Sequence, residues 1–364
     1  MTDCSLEWSE RVRAAAAADT PLCLQGGGTK AFYGRTPTGE HFDTRTHRGV
    51  VAYEPTELVM TVRAGTTLAE AAAALAERGQ MLAFEPPAFG DGATVGGCVA
   101  AGLSGPRRMA AGALRDYVLG VRLIDGRGQL LSFGGQVMKN VAGYDVSRLI
   151  AGSLGTLGLV LDVSLKVLPR PVREASVRMA LDEAAALRRL NAWGGQPLPI
   201  SASSWHEGEL TLRLSGAEAA VEAAIARVGG DILAPAEASR YWDAVREHDH
   251  PFFAGCAGAG DADQMTLWRL GLPTNAPPLA LPGRQLIEWG GGQRWLTGDA
   301  PAEQIRARAA ELGGHATLFR AGAAARGGPV FQPLAPALMA IHRRLKHAFD
   351  PQGIFNPGRL YDGL

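Results

Sequence analysis

The chain has 364 residues, 46% hydrophobic and 20% charged, which fits a folded globular protein of two or three domains and excludes a disordered one. Lysine plus arginine equals aspartate plus glutamate at 36 each, so no net field recruits nucleic acid or an anionic surface. The four cysteines, Cys4, Cys23, Cys98 and Cys256, share no C-x-x-C spacing, which argues against an iron–sulfur cluster or a zinc knuckle.

In chain order, "MTDCSLEWSERVR" carries acids near its start and no continuous apolar core, so a signal peptide is not expected. "PLCLQGGGTKAFYG", Pro21 to Gly34, is a short apolar run ending in three glycines, then Thr29 and Lys30. It lacks the spacing of a phosphate-binding P-loop. Gly26, Gly28 and Ala31 read as G-x-G-x-x-A, but that pattern must open a helix, and Gly34, Pro37 and Gly39 follow at once. On this loop alone a plain turn fits as well as a nucleotide site.

"LVMTVRAG" reads as a strand, and "TTLAEAAAALAERG" as a helix with Thr67 capping, Glu70 in the capping-box position and Gly79 as the stop. Two further glycine-rich stretches, "FGDGATVGGCVAAGLSG" and "IAGSLGTLGLVLDVSLKVL", read as loops, the second entering a β-rich run. That run is the best apolar stretch in the chain, and Asp162 and Lys166 interrupt it, so no transmembrane segment is expected. "LPRPVR" marks a boundary. Beyond it, "SVRMALDEAAALRRLNAW" predicts a strand running into a helix, "LTLRLSG" a strand, "AEAAVEAAIARVGG" an amphipathic helix, and "LIEWGGGQRWL" two strands around a glycine turn. The tail "PALMAIHRRLKHAFDPQGIFNPGRLY" predicts a helix broken at Asp350–Pro351.

Three glycine loops in one region invite a joint explanation. Successive backbone N–H groups in such turns form an anion-binding concavity that needs no lysine. Close packing of strands is the competing reading, and spacing alone does not separate the two.

The stretches "ATVGGCVAAGLSGPRRMAAGALRDYVLGVRLIDGRG" and "MKNVAGYDVSRLIAGSLGTLGLVLDVSLKVLPRP", with the tail "FDPQGIFNPGRLY", resemble the FAD-binding flavoproteins of the vanillyl-alcohol-oxidase (PCMH) type. More closely, "HRGVVAYEPTELVMTVRAGT", "GPRR", "FGGQVMKNVAGYD" and "LKHAFDPQGIFNPGRLY" are similar to the FAD-binding E subunits of bacterial glycolate oxidases. The resemblance implies an α+β fold: a two-lobed FAD-binding domain over residues 1–172, a smaller α+β cap domain over 173–334, and a C-terminal helix and tail, 335–364, returning to the FAD domain. Carried over by motif, Gly26, Gly27, Gly28, Thr29 and Lys30 form the first pyrophosphate loop. Pro86, Thr94, Gly96 and Gly97 line the pyrophosphate and ribityl chain. Gly152, Ser153, Gly155 and Gly158, with Leu159 and Val160 entering the next strand, lie near the adenine half, and Asn356 lies where the tail meets the flavin. The opening loop contains no histidine for covalent attachment, so noncovalent FAD is implied.

The family's D-2-hydroxy-acid dehydrogenases carry paired histidines for a metal and a base. Here the only close pair is His248-Asp249-His250, in the polar stretch "VREHDHPFF", which reads as a solvated loop without a third ligand. No metal is expected. Oxidising an α-hydroxy acid needs a cation for the carboxylate and a base for the hydroxyl. Arg107 and Arg108 are candidates for the cation or for a surface pair at a subunit interface. Tyr144 is a candidate at the flavin or a buried structural tyrosine. Lys139 and Asp145 read as an ion pair, Trp289 and Trp295 as core or edge aromatics, and no catalytic base is identified. The resemblance implies the FAD-binding subunit of a cytoplasmic glycolate oxidase (glycolate dehydrogenase) complex, peripheral to the membrane at most. Its partners would be a related FAD-containing D-type subunit and an iron–sulfur subunit, oxidising glycolate to glyoxylate. A self-sufficient FAD-dependent hydroxy-acid or alcohol oxidoreductase and a structural subunit with a non-catalytic FAD site are the alternatives.

Overall fold

The computed structural model describes residues 3–135, 145–256, 265–321 and 328–364. The chain divides into two compact units. Unit 1 comprises Met1–Ser104, Ala113–Arg170 and Pro333–Leu364, and unit 2 comprises Gly105–Gly112 and Pro171–Gln332. The excursion Gly105–Gly112, which groups with unit 2, has no counterpart in the domain limits expected from sequence.

Unit 1 is built on a five-stranded antiparallel sheet with the spatial order Val50–Glu54, Val59–Arg63, Leu159–Lys166, Val118–Ile124, Leu130–Gly134. Leu159–Lys166 is the central strand. Six of its eight residues are buried, which explains why its sequence is a nearly unbroken apolar run rather than an alternating one. Leu22–Gln25 pairs in parallel with Glu40–Asp43, and Leu22 also bridges to Phe355 in the tail. Trp8, Val12, Leu22, Phe42, Leu161, Ile354 and Phe355 share one core, so the two ends of the chain close the same apolar cluster.

The helix Leu68–Ala76 forms as expected. The Thr67 hydroxyl accepts the Glu70 amide at 3.1 Å, and the Glu70 carboxylate accepts the Thr67 amide at 2.9 Å. The second glycine stretch differs from expectation: Val95–Ala101 is a helix, not a loop. Two glycines make it intrinsically poor, and tertiary contacts hold it. Thr94 caps it, and the amides of Val95 and Gly96 donate to Thr66 and Ala64 carbonyls, each at 2.8 Å. A Cβ on Gly96 would stand 2.6 Å from that of Ala64, so the glycine permits this close approach.

The tail helix, Pro336–Phe349, stops at Asp350, the break the sequence predicted. The buried Lys346 ammonium donates to Asp350 at 2.7 Å and to the carbonyls of Thr156 and Phe355 at 2.9 and 2.8 Å. The Asp350 carboxylate accepts the amides of Ile354 and Phe355. Every donor and acceptor in this buried pair is thus engaged, as its desolvation demands. Burial pushes the Lys346 pKa below its ordinary value, and Asp350 opposes the shift.

Unit 2 holds an eight-stranded sheet, also antiparallel at each described pairing. Its order is Asp231–Ile232, Arg173–Ala180, Glu209–Gly216, Ile200–His206, Arg284–Glu288, Gln293–Thr297, Leu267–Gly271, His315–Arg320. Helices Glu183–Gly194 and Glu218–Val228 bury Leu190 and Val221 against Leu210, Leu212 and Leu214. Helix Ala302–Glu311 buries Ile305 against Trp268, Leu270 and Leu318. Antiparallel sheets with helices packed onto them give the α+β class that was expected. The predicted strand pair around "WGGG" is present, joined by a turn in which Trp289, Gly290 and Gly291 all have positive φ (54°, 65° and 101°).

Candidate functional site

A cleft in unit 1 lies where strand Leu22–Gln25 gives out into the glycine turn. Cys23 through Ala31 form one wall, Thr94, Gly97, Ala100 and Ala101 another, and Leu154 and Arg359 complete it. The turn is held from behind: a Cβ on Gly27 would fall 1.6 Å from the Gly92 carbonyl oxygen, so only glycine allows the two loops to meet. The Lys30 ammonium donates to the Ala88 carbonyl at 3.1 Å and steadies the same junction.

The chemistry of this turn lies in its amides. Among the described residues, the N–H groups of Gly26, Gly27, Gly28 and Thr29 donate no hydrogen bond within the protein. Backbone donors facing a cleft are satisfied by water or by a ligand. Four consecutive unused donors at a strand end form a nest for an anion, and a dinucleotide's diphosphate fits that donor set. The helix Val95–Ala101 contributes differently. Its first amides are engaged by Thr66, Ala64 and the Thr94 hydroxyl. It presents Gly97, Ala100 and Ala101, a wall of small residues that a flat ligand can approach closely.

Of the residues expected from sequence, Gly26, Gly27, Gly28, Thr29, Lys30, Thr94 and Gly97 meet on this cleft. Gly96 faces Ala64, and Pro86, Gly152, Ser153, Gly155 and Gly158 are not among the residues lining it. Leu159 and Val160 are buried in the central strand. In the third glycine loop, Leu154 reaches the cleft. The amides of Gly152 and Leu154 tie that loop to the carbonyls of Val99 and Ala100 at 3.0 and 2.8 Å. Asn356 staples the walls together: its Oδ1 accepts the Leu24 amide at 2.8 Å and its Nδ2 donates to the Leu154 carbonyl at 2.7 Å. Gly155 leaves room for it, since a Cβ there would stand 2.6 Å from Asn356 Nδ2.

Sequence reasoning missed Cys23, Leu24, Gln25, Ala31, Ala100, Ala101, Leu154 and Arg359. Ala100 and Ala101 follow Gly97 by three and four positions, the spacing of one helical face, and were open to discovery had the segment been read as a helix. Burial lowers the pKa of Arg359, and it raises that of the Cys98 thiol to about 11, with Lys30 opposing the latter shift. Cys98 is therefore an uncharged thiol.

The remaining candidates fall elsewhere. Arg107 is not on the surface. It is buried, and its Nη2 meets Glu174 at 2.6 Å, where Ser215 also donates at 2.7 Å. The Arg108 guanidinium lies 4.4 Å over the Trp289 ring, whose Nε1 donates to the Gly105 carbonyl at 3.1 Å. Within unit 2, the segment Gly105–Gly112 is thus fastened by an ion pair and a cation–π contact, which gives both arginines structural partners. Trp289 and Trp295 are both buried. Tyr144 and Lys139 lie outside the described residues, and Asp145 caps helix Val146–Ile150 while pairing with Arg148 at 3.0 Å.

Within His248–His250, Asp249 is exposed and His250 half-buried, but His248 is not solvated as expected. His248 is buried, stacked on Phe253 at 3.9 Å and met edge-on by Trp295 at 4.6 Å. Burial holds its pKa well below the ordinary value, helped by Arg320 and Arg269. The His250 Nδ1 accepts the Phe252 amide at 3.2 Å, and burial near His206 pushes its pKa down to about 4. Two neutral rings in an aromatic pack account for the pair. Among the described residues, no group of three or more His, Cys, Asp or Glu side chains is placed to hold a metal.

Residues 5–134 match the FAD-binding domain family, and residues 332–360 match the C-terminal domain of FAD-linked oxidases. The chain is 48% identical to glycolate oxidase subunit GlcE of Escherichia coli, over 98% of this chain and 97% of that one. It is 31% identical to glycolate oxidase subunit GlcD of Bacillus subtilis over 42% of this chain and 32% of that one. With D-lactate dehydrogenase of Archaeoglobus fulgidus it shares 30% identity over 46% and 37%. Among solved structures, p-cresol methylhydroxylase superposes with a TM-score of 0.71 at 14% identity, over 99% of this chain and 88% of that one. That likeness establishes the PCMH-type fold alone.

Proposed function

Because the chain belongs to the FAD-linked oxidase family that includes glycolate oxidase subunit GlcE, we propose that it is the FAD-holding subunit of a complex that oxidises glycolate to glyoxylate. The observation that carries this reading is the identity with a glycolate oxidase subunit along nearly the whole of both chains. The row of unused amides at Gly26–Thr29 supports it independently, as a site shaped for a diphosphate.

Bound FAD would supply a two-electron acceptor for the hydride of a 2-hydroxy acid. The chain's own part is to hold it. The Gly26–Thr29 amides bind the diphosphate, Lys30 fixes their loop to Ala88, and Thr94 caps the helix that offers Gly97 as a close wall. Asn356 keeps Leu24 and Leu154 in register across the cleft. Among the described residues lining the cleft there is no carboxylate, histidine or tyrosine, and no proton acceptor for the glycolate hydroxyl is assigned there. A related GlcD-type FAD subunit would supply it, and an iron–sulfur subunit would carry electrons away. The cofactor is held noncovalently, and the complex is cytoplasmic with at most peripheral membrane contact. No helix of the described residues is long and apolar enough to cross a membrane.

The test is anaerobic addition of glycolate to the FAD-loaded chain, alone and after assembly with its two partners. Turnover by the complex with negligible bleaching of the lone chain is expected. Rapid stoichiometric bleaching of the lone chain would instead establish a self-sufficient oxidoreductase. A complex whose turnover survives removal of FAD from this subunit would make the site structural.

A further inference from the structure

Arg359 stands two residues beyond the Asn356–Pro357 step and is half-buried at the edge of the cleft. Its Nη2 donates to the carbonyls of Tyr33 at 3.0 Å and of Lys30 and Ala31 at 3.5 Å each. Its own carbonyl accepts the Arg35 amide at 2.9 Å, so tail and loop are joined in both directions. Among the described residues no carboxylate pairs with Arg359, and its Nε and Nη1 make no hydrogen bond; the acid nearest in sequence, Asp362, pairs with Arg35. Three carbonyls therefore hold a guanidinium beside the turn whose preceding amides are unused.

A partly desolvated cation without an anion is costly, and the usual remedies are a carboxylate or a phosphate. The turn beside it already offers an anion nest. A guanidinium fork matches phosphate oxygens bidentately and stays charged under any physiological condition. We propose that Arg359 is a phosphate-binding residue of the cofactor site, closing on the FAD diphosphate from the tail while the Gly26–Thr29 amides hold it from the loop. The proposal rests on the FAD reading. The tail is then part of the binding site itself as well as a brace for the fold, and docking of the tail and binding of the dinucleotide reinforce each other. Burial lowers the Arg359 pKa, and Cys23 opposes the shift.

The test compares Arg359→Met and Arg359→Lys with wild type in the full flavin-free chain, by fluorescence titration with FAD and with riboflavin, which lacks phosphate. Removing the charge should weaken FAD binding about ten- to a hundredfold, the loss of one charge-assisted hydrogen bond, and leave riboflavin affinity unchanged. Lysine, which keeps the charge but loses the fork, should fall between. A purely bracing role would lower riboflavin and FAD affinity alike, or neither, and either result overturns the proposal. Should Arg359→Met fail to fold, the wild-type chain decides. Cys23 lines the cleft near Arg359 and is the one cysteine of the four that is not buried. ADP should protect it from iodoacetamide, and labelling unchanged by ADP would contradict the placement. A wild-type chain that binds riboflavin but not FAD overturns this proposal, whereas one that binds neither overturns the FAD reading beneath it.

Discussion

At Asn356 a left-handed backbone, φ 42°, coincides with a buried amide that serves two backbone partners on opposite walls of the cleft. Asparagine tolerates that conformation better than most residues, and its amide both donates and accepts. Asn356→Ala leaves the Leu24 N–H and the Leu154 C=O unpaired in a buried site. At about 1–3 kcal/mol per unsatisfied group, it should cost roughly 3 kcal/mol in urea unfolding; a loss well under 1 kcal/mol would show that the staple is not formed. Gly27 and Gly97 make a second contrast. Gly27→Ala places a Cβ 1.6 Å from the Gly92 oxygen and should prevent the loops from meeting. Gly97→Ala meets only the Thr94 hydroxyl, at 3.1 Å, in a helix where alanine gains about 1 kcal/mol of propensity. The apo-protein should therefore melt near wild type while FAD affinity falls at least about tenfold; equal affinity would remove Gly97 from the site. The first loop, Thr94 and Asn356 were named from the family motif, and Asn356 was legible only that way, since its partners Leu24 and Leu154 lie far from it in sequence. Arg359 escaped because its significance lies in what faces it, the carbonyls of Lys30, Ala31 and Tyr33, more than three hundred positions earlier.

Two elements show where local reading stops. The capping box at Thr67 was legible because both partners lie three residues apart. The helix Val95–Ala101 was not, since its glycines argue against a helix and its support comes from Ala64 and Thr66, on a different element. The segment "VREHDHPFF" is polar in sequence, yet Phe253, Trp295 and Phe319 enclose His248, and the last two come from strands some fifty and seventy positions later. That enclosure has a pH consequence. His248 is held well below its ordinary value and His250 at about 4, so both are neutral in the fold at pH 7. Once unfolded they take up protons near pH 6.5. The unfolded chain binds more protons than the folded one between those values, so stability is full above about pH 6.5 and declines as pH falls towards 4. Melting temperature should fall from pH 7 to pH 5. The slope should shrink in His250→Asn, whose side-chain oxygen can still accept the Phe252 amide. A flat profile across that range would mean the rings are not shielded.

Across the whole molecule, the family resemblance is dense from residue 20 to 170 and again after 335, stretches that apart from Gly105–Gly112 belong to unit 1 and contain the cleft. Unit 2 was legible only as alternating strands and helices. Its sheet order depends on pairings such as Ser204 with Glu288 that no local pattern encodes. The cofactor is expected to leave with acid, since no covalent attachment is proposed, and colour retained in an acid precipitate would refute that. The most direct measurement of the central claim is titration of the flavin-free full chain with FAD, for wild type and for Gly97→Val. Saturable binding of one FAD per chain, weakened about a hundredfold or more in a folded Gly97→Val protein, is the predicted result. No binding by the wild type, or equal binding by the folded variant, would contradict the claim that this cleft holds FAD.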